Sequence, residues 1–109
     1  MKHPKLDVIL NAVKDYLKIL YSDRLQNIIL YGSQARADSH LDSDIDIDIL
    51  VVLDNLTNPY LEIDKTGDFI AHLCLEYDIV ISRHFISSDK FTSGQNPFLE
   101  NIRNEGIVL

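Results

Sequence analysis

Residues 44–53 read Asp-Ile-Asp-Ile-Asp-Ile-Leu-Val-Val-Leu. Ten residues separate them from a Gly32-Ser33 pair that closes the apolar run Ile28-Ile29-Leu30-Tyr31. Strict alternation from Asp44 to Ile49 marks a strand with one acidic and one apolar face. From Leu50 to Leu53 both faces turn apolar, as in a central strand covered on both sides. Carboxylates two apart on a strand point the same way, so Asp44 and Asp46 converge on one point. Their repulsion gives an apolar strand no structural gain. A hard divalent cation such as Mg²⁺ offsets it and takes carboxylate oxygens together with substrate phosphates. Asp78, at the start of the β-rich run Tyr77–Ile81, is placed to supply a third carboxylate. A structural reading stays open beside this one: Asp44 as a turn aspartate, or the acids as solvent-facing residues of an edge strand.

Working outward, Leu6, Ile9, Leu10, Val13, Leu17 and Leu20 recur at spacings of three and four. They predict a helix from just after Pro4 to Ser22-Asp23, with those residues on its buried face. A strand is expected over 27–31, a helical turn or two over 34–37, and a helix over 60–75 that buries Ile63, Ile70, Leu73 and Cys74. Gly67 weakens that helix by about 1 kcal/mol relative to Ala. A third strand follows at 77–81. Residues 82–95 show no clear period, although Phe85, Ile86 and Phe91 should anchor them. Asn96-Pro97 reads as a helix cap and first helical residue, with Phe98 and Ile102 on one face, and Gly106 as the stop. Ile107-Val108-Leu109 is left as an edge strand.

The 109 residues fit a single domain over 1–109, and 46% hydrophobic residues with few Gly and Pro argue for a folded chain. A net charge of -7 speaks against gripping nucleic acid through its phosphates, which needs a Lys/Arg surface. One cysteine, Cys74, excludes an intramolecular disulfide and multi-cysteine metal sites, and reads as a reduced, partly buried thiol. The first residues carry no signal-peptide pattern, and no run reaches the length of a membrane span. A cytoplasmic protein without membrane association is expected. An EF-hand fails because Ile49 and Asn55 stand where Gly and Glu are required. A P-loop fails for want of a Gly-rich run ending in Lys-Ser/Thr.

Gly32-Ser33, ten residues, then Asp44-Ile45-Asp46 resembles the G-S-x10-D-x-D motif of the minimal nucleotidyltransferases in the DNA polymerase β superfamily. The context, Leu30-Tyr31-Gly32-Ser33-Gln34-Ala35-Arg36 followed by Ser43-Asp44-Ile45-Asp46, is similar to the MNT antitoxins of HEPN–MNT toxin–antitoxin pairs. Asp78 and the tail Phe98–Ile107 fit the same family, so the likeness covers nearly the whole chain.

The resemblance implies an α/β (α+β) nucleotidyltransferase fold: a small, mixed, mostly antiparallel sheet with helices mainly on one face and the acids on the other. By position, Gly32 and Ser33 would hold the triphosphate of ATP, with Arg36 near the phosphates. Asp44 and Asp46 would ligate Mg²⁺, and Asp78 would be the third carboxylate, helping to deprotonate the acceptor hydroxyl. A glycine at a strand-to-helix turn lets backbone N–H groups approach phosphate, which agrees with that assignment. Arg36 has a rival role as a surface residue pairing with Asp38.

The activity so implied is transfer of AMP from ATP to a hydroxyl, a tyrosine of a cognate HEPN ribonuclease toxin, in a homo- or hetero-oligomer. A non-catalytic antitoxin that acts by binding and an aminoglycoside nucleotidyltransferase are the alternatives. Two departures stand out. Ala37 replaces the usual glycine after the arginine, and Asp48 stands where the family generally has an apolar residue. Asp48 is given no ligand role.

Overall fold

The computed structural model describes residues 5–32, 35 and 46–109. Helix α1 (Leu6–Tyr21) and a 3-10 turn (Ser22–Arg24) lead into strand β1 (Leu25–Tyr31). Strand β2 (Asp46–Leu53) and helix α2 (Pro59–Tyr77) follow, then strand β3 (Val80–Ser87). Two short helices, α3 (Ser88–Ser93) and α4 (Pro97–Glu105), and the two-residue strand β4 (Ile107–Val108) complete the described chain. The four strands form one mixed sheet in the order β3-β2-β1-β4. β1 pairs antiparallel with both β2 and β4, while β2 and β3 run parallel. Parallel neighbours need a long crossover, and α2 is that crossover.

The apolar half of the alternation makes the main core. Ile47, Ile49, Val51 and Leu53 of β2 pack with Ile28 and Leu30 of β1, Ile81 and Phe85 of β3, and the buried stripes of α1 and α2. On the opposite face Ile29, Leu50 and Val52 meet Leu99 and Ile102 of α4 in a smaller cluster, with Ile86 and Phe91 against it. β2 is therefore covered on both sides through its second half. Asp46 and Asp48 continue the Leu50–Val52 row beyond the smaller cluster. The expected mixed sheet, with its long helices α1 and α2 on one face, is borne out. Among the described residues no helix is long and apolar enough to cross a membrane.

Several local expectations change. In α1 Tyr21 rather than Leu20 closes the buried stripe, Leu20 remaining exposed. The Tyr21 hydroxyl donates to Glu62 Oε1 at 2.8 Å, and Lys65 Nζ lies 3.3 Å from the same oxygen. In α2 the buried line is Glu62, Thr66, Ile70 and Leu73. Ile63 and Cys74, expected inside, are half-buried. Two polar residues enter because each is satisfied: Thr66 Oγ1 donates to the Glu62 carbonyl at 2.9 Å and accepts from Arg83 Nε at 2.7 Å. Arg83 Nη2 also donates to the Ile63 carbonyl at 2.7 Å, so β3 is tied to α2 through polar contacts.

α2 runs two residues past the expected 75, and β3 starts at Val80 rather than Tyr77. Between them Asp78 adopts the left-handed conformation (φ 54, ψ 54), and the Ile79 N–H bonds back to the Cys74 carbonyl at 3.1 Å. Aspartate tolerates this backbone region better than most residues, so the helix closes there. The unassigned stretch 82–95 holds the second half of β3 and α3, a helix too short to display a period. Its start is capped by Ser87, whose hydroxyl accepts from the Lys90 N–H. Asn96 caps α4 as expected, accepting from the Leu99 N–H at 2.9 Å. Phe98, expected on one face with Ile102, is 40% exposed, and Leu99 takes the inner position beside Ile102.

Candidate active site

At the end of β1 the chain bends at Gly32 with φ +76, a conformation that side chains of L-residues rarely adopt. A β-carbon there would also collide with Asp48 Oδ2. The backbone angle favours glycine, and a β-carbon would in addition make the Asp48 carboxylate turn aside. The register explains the contact: Tyr31, the residue before Gly32, pairs with Asp48 across the β1–β2 ladder. Asp46, two residues earlier on β2, lies on the same face and is exposed.

The electrostatics match. Burial, and then the neighbouring Asp46 charge, push the Asp48 carboxyl above the ordinary carboxylate range. Burial and then Asp48 raise the Tyr31 phenol. Both shifts come first from burial, and the neighbouring carboxylate charge adds to each. A hard divalent cation fits the donor set: it consists of carboxylate oxygens, on the open part of a sheet face, beside a glycine turn that admits phosphate.

Of the residues singled out in the sequence, the structure brings Gly32 and Asp46 to this corner and adds Asp48. Asp78 precedes by two residues Val80, the β3 partner of Asp46, and so stands at the same end of the sheet. It is exposed and caps a helix instead of opening a strand. Ser33, Arg36 and Asp44 lie outside the described residues, as do Ala37 and Asp38. Among the described residues no group of three His, Cys, Asp or Glu side chains is gathered for a metal ion.

The aromatic flank of the site was missed from sequence. Phe98 of α4 meets the Tyr31 ring edge-on, with centroids 5.6 Å apart, and the His84 ring at 5.3 Å. Residues from β1, α4 and β3 thus close over the sheet at the level of Leu50, since His84 pairs with Leu50. No periodicity links these three positions in the sequence. A cavity of about 400 Å³ lined by Pro59, Tyr60, Ile63, Arg83, His84 and Phe85 lies at the β3 edge. It is lined by no acidic residue among those described, so the carboxylate corner remains the better candidate for chemistry.

Residues 8–108 match the family described as nucleotidyltransferase domain. The chain belongs to that family. As a member of the nucleotidyltransferase-domain family it is an enzyme, and the likeness read from Gly32-Ser33 and Asp44-Ile45-Asp46 is borne out. Two proteins of Methanocaldococcus jannaschii, both provisionally designated protein adenylyltransferases, are similar over nearly their full length. One is 37% identical over 90% of this chain and 94% of its own, the other 32% identical over 95% and 97%. Among solved structures, a toxin–antitoxin with AMP-PNP shares the fold at TM-score 0.57 and 22% identity, over 90% of this chain and 69% of that one. A mutant of the toxin–antitoxin MntA–HpeT does so at TM-score 0.56 and 22% identity, over 92% and 70%.

Proposed function

We propose that this nucleotidyltransferase is a protein adenylyltransferase that transfers AMP from ATP to a tyrosine hydroxyl of a HEPN-family toxin, and so acts as its antitoxin. The observation that carries the reading is the corner itself: Gly32 in its left-handed bend, held against the acidic row of β2 on the open face of the sheet. The designation of the two archaeal relatives supports protein as the acceptor class, and the fold shared with toxin–antitoxin structures supports the partner.

In this reading Asp44, Asp46 and Asp78 would hold Mg²⁺, which when bound supplies charge neutralisation around the reacting phosphate. The chain's own residues do the rest. Gly32, lacking a side chain, lets the backbone of the bend approach the triphosphate, which Ser33 and Arg36 would help to hold. The acceptor oxygen attacks the α-phosphorus, forming the new P–O bond as the bond to pyrophosphate breaks. Asp78 orients that hydroxyl and takes its proton on a carboxylate oxygen. Arg36 balances charge that develops on the transferring phosphate.

Calorimetric titration of ATP tests the site. Binding should depend on Mg²⁺ and fall at least about tenfold, or 1.4 kcal/mol, in Asp46→Asn. Equal affinity of the unsubstituted protein in EDTA would remove the metal assignment. Neutralisation of a toxin without ATP would favour the binding-only antitoxin instead.

A further inference from the structure

Tyr31, Phe98 and His84 come from three elements separated in sequence, yet their rings meet above the central strand. The core does not need Phe98 there. Leu99 and Ile102 already seal α4 onto the sheet at 2% and 3% exposure, whereas Phe98 keeps 40% of its surface and His84 is exposed. Phe98 so placed between two other rings leaves part of its own ring open at this level of the sheet.

Its position narrows the ligand. Tyr31 directly precedes Gly32, and Asp48 is its partner across the ladder. The ring cluster therefore begins beside the glycine bend and extends one row inward, to Leu50, a step of about 7 Å along a strand. Asp78 lies the other way, off the starting end of β2 and β3. The carboxylates thus separate an aromatic side from an Asp78 side. With phosphates at the bend and the acceptor hydroxyl at Asp78, the remaining direction belongs to the nucleoside.

Resting on the nucleotide-transfer reading above, we propose that Tyr31, Phe98 and His84 form the shelf on which the purine base of the donor nucleotide stacks. Every nucleobase offers a π-face to such a surface, and truncating one stacking aromatic commonly weakens binding by about 5- to 100-fold. The shelf would act on the base and leave the phosphates alone.

That separation gives the test. ATP and inorganic tripolyphosphate are titrated, each with Mg²⁺, into the unsubstituted protein, Phe98→Ala, His84→Ala and Phe98→Tyr. Both residues are exposed, and an unchanged thermal midpoint verifies that the fold is kept. Phe98→Ala should lose about 5- to 100-fold in ATP affinity while tripolyphosphate stays within about twofold. His84→Ala should lose less in the same direction, and Phe98→Tyr should bind ATP like the original. Equal losses for both ligands, or no loss for ATP, would overturn the shelf. A rise confined to the KM of the protein acceptor would overturn it too and give the rings to the acceptor's phenol. If the unsubstituted protein binds neither ligand, the nucleotide-transfer reading itself fails. An unsubstituted protein that binds ATP with Phe98→Ala unaffected overturns the shelf alone.

Discussion

The α-carbon of Gly32 faces the Asp48 carboxylate with no room for a β-carbon between them. This contact joins the bend after β1 to the acidic row of β2, and it makes residue 32 sensitive to substitution in two separable ways. Gly32→Ala should destabilise the protein by about 1–2 kcal/mol, mainly through the left-handed backbone, with a smaller part from turning the Asp48 carboxylate aside. In an Asp48→Ala background only the backbone part remains, about 1 kcal/mol. Urea unfolding of the four proteins in the cycle measures the coupling, and strict additivity would mean that the contact carries no energy.

Asp48 also makes stability depend on pH. Its carboxyl is pushed up by burial and by Asp46, so the folded state binds this proton more tightly than the unfolded state does. Between the ordinary carboxylate pKa of 3.8 and the raised folded value, stability falls as pH rises, and above both values the full penalty persists. Asp48→Asn should therefore raise the thermal midpoint at pH 7 in EDTA, with the advantage shrinking as the pH falls through that window and absent below it. An advantage that grows toward acid would contradict the assignment.

On the other side of the sheet, the Tyr21 hydroxyl satisfies the buried Glu62 carboxylate across 41 positions of sequence. Tyr21→Phe should cost about 0.5–1.5 kcal/mol, the worth of one hydrogen bond, because Lys65 stays 3.3 Å from the same Glu62 oxygen. Replacing both, as Tyr21→Phe with Glu62→Leu, should recover much of that loss in chemical denaturation.

Gly67 of α2 offers a stabilising change. A β-carbon there would meet only Arg83 Nη2 at 4.0 Å, an ordinary contact. Gly67→Ala should add about 0.5–1 kcal/mol, seen as a higher urea midpoint with an unchanged slope.

The central strand was legible because Asp46 to Ile49 alternate with a period of two and Leu50 to Leu53 are continuously apolar. The α1 stripe and the Asn96-Pro97 cap were equally direct, one through its period and one through its capping chemistry. What escaped depended on contacts distant in sequence. Glu62 and Thr66 are polar, so no hydrophobic pattern could place them inside. They are buried because Tyr21 and Arg83 reach them. The left-handed stop at Asp78 moved the start of β3, since a run such as Tyr77–Ile81 looks β-rich whether or not a helix still occupies its first residue. At the site, the alternating aspartates pointed to a cation, and the family resemblance carried by Gly32-Ser33 and Asp44-Ile45-Asp46 implied the phosphate chemistry. The Gly32–Asp48 contact and the ring cluster arise only once β1, β2, β3 and α4 are assembled.

The cap at Asp78 allows AMP transfer to be separated from folding. Asparagine also accepts the left-handed conformation, so Asp78→Asn preserves the helix end and removes only the charge and the proton-accepting oxygen. Interactions made chiefly in the transition state lower kcat when lost and spare ground-state binding. The measurement is intact-protein mass spectrometry of a HEPN-family toxin after incubation with ATP, Mg²⁺ and either the unsubstituted protein or Asp78→Asn. The unsubstituted protein should add whole AMP increments to the toxin, while Asp78→Asn should still bind ATP and toxin yet add none. A toxin neutralised by the unsubstituted protein with no gain in mass would contradict AMP transfer.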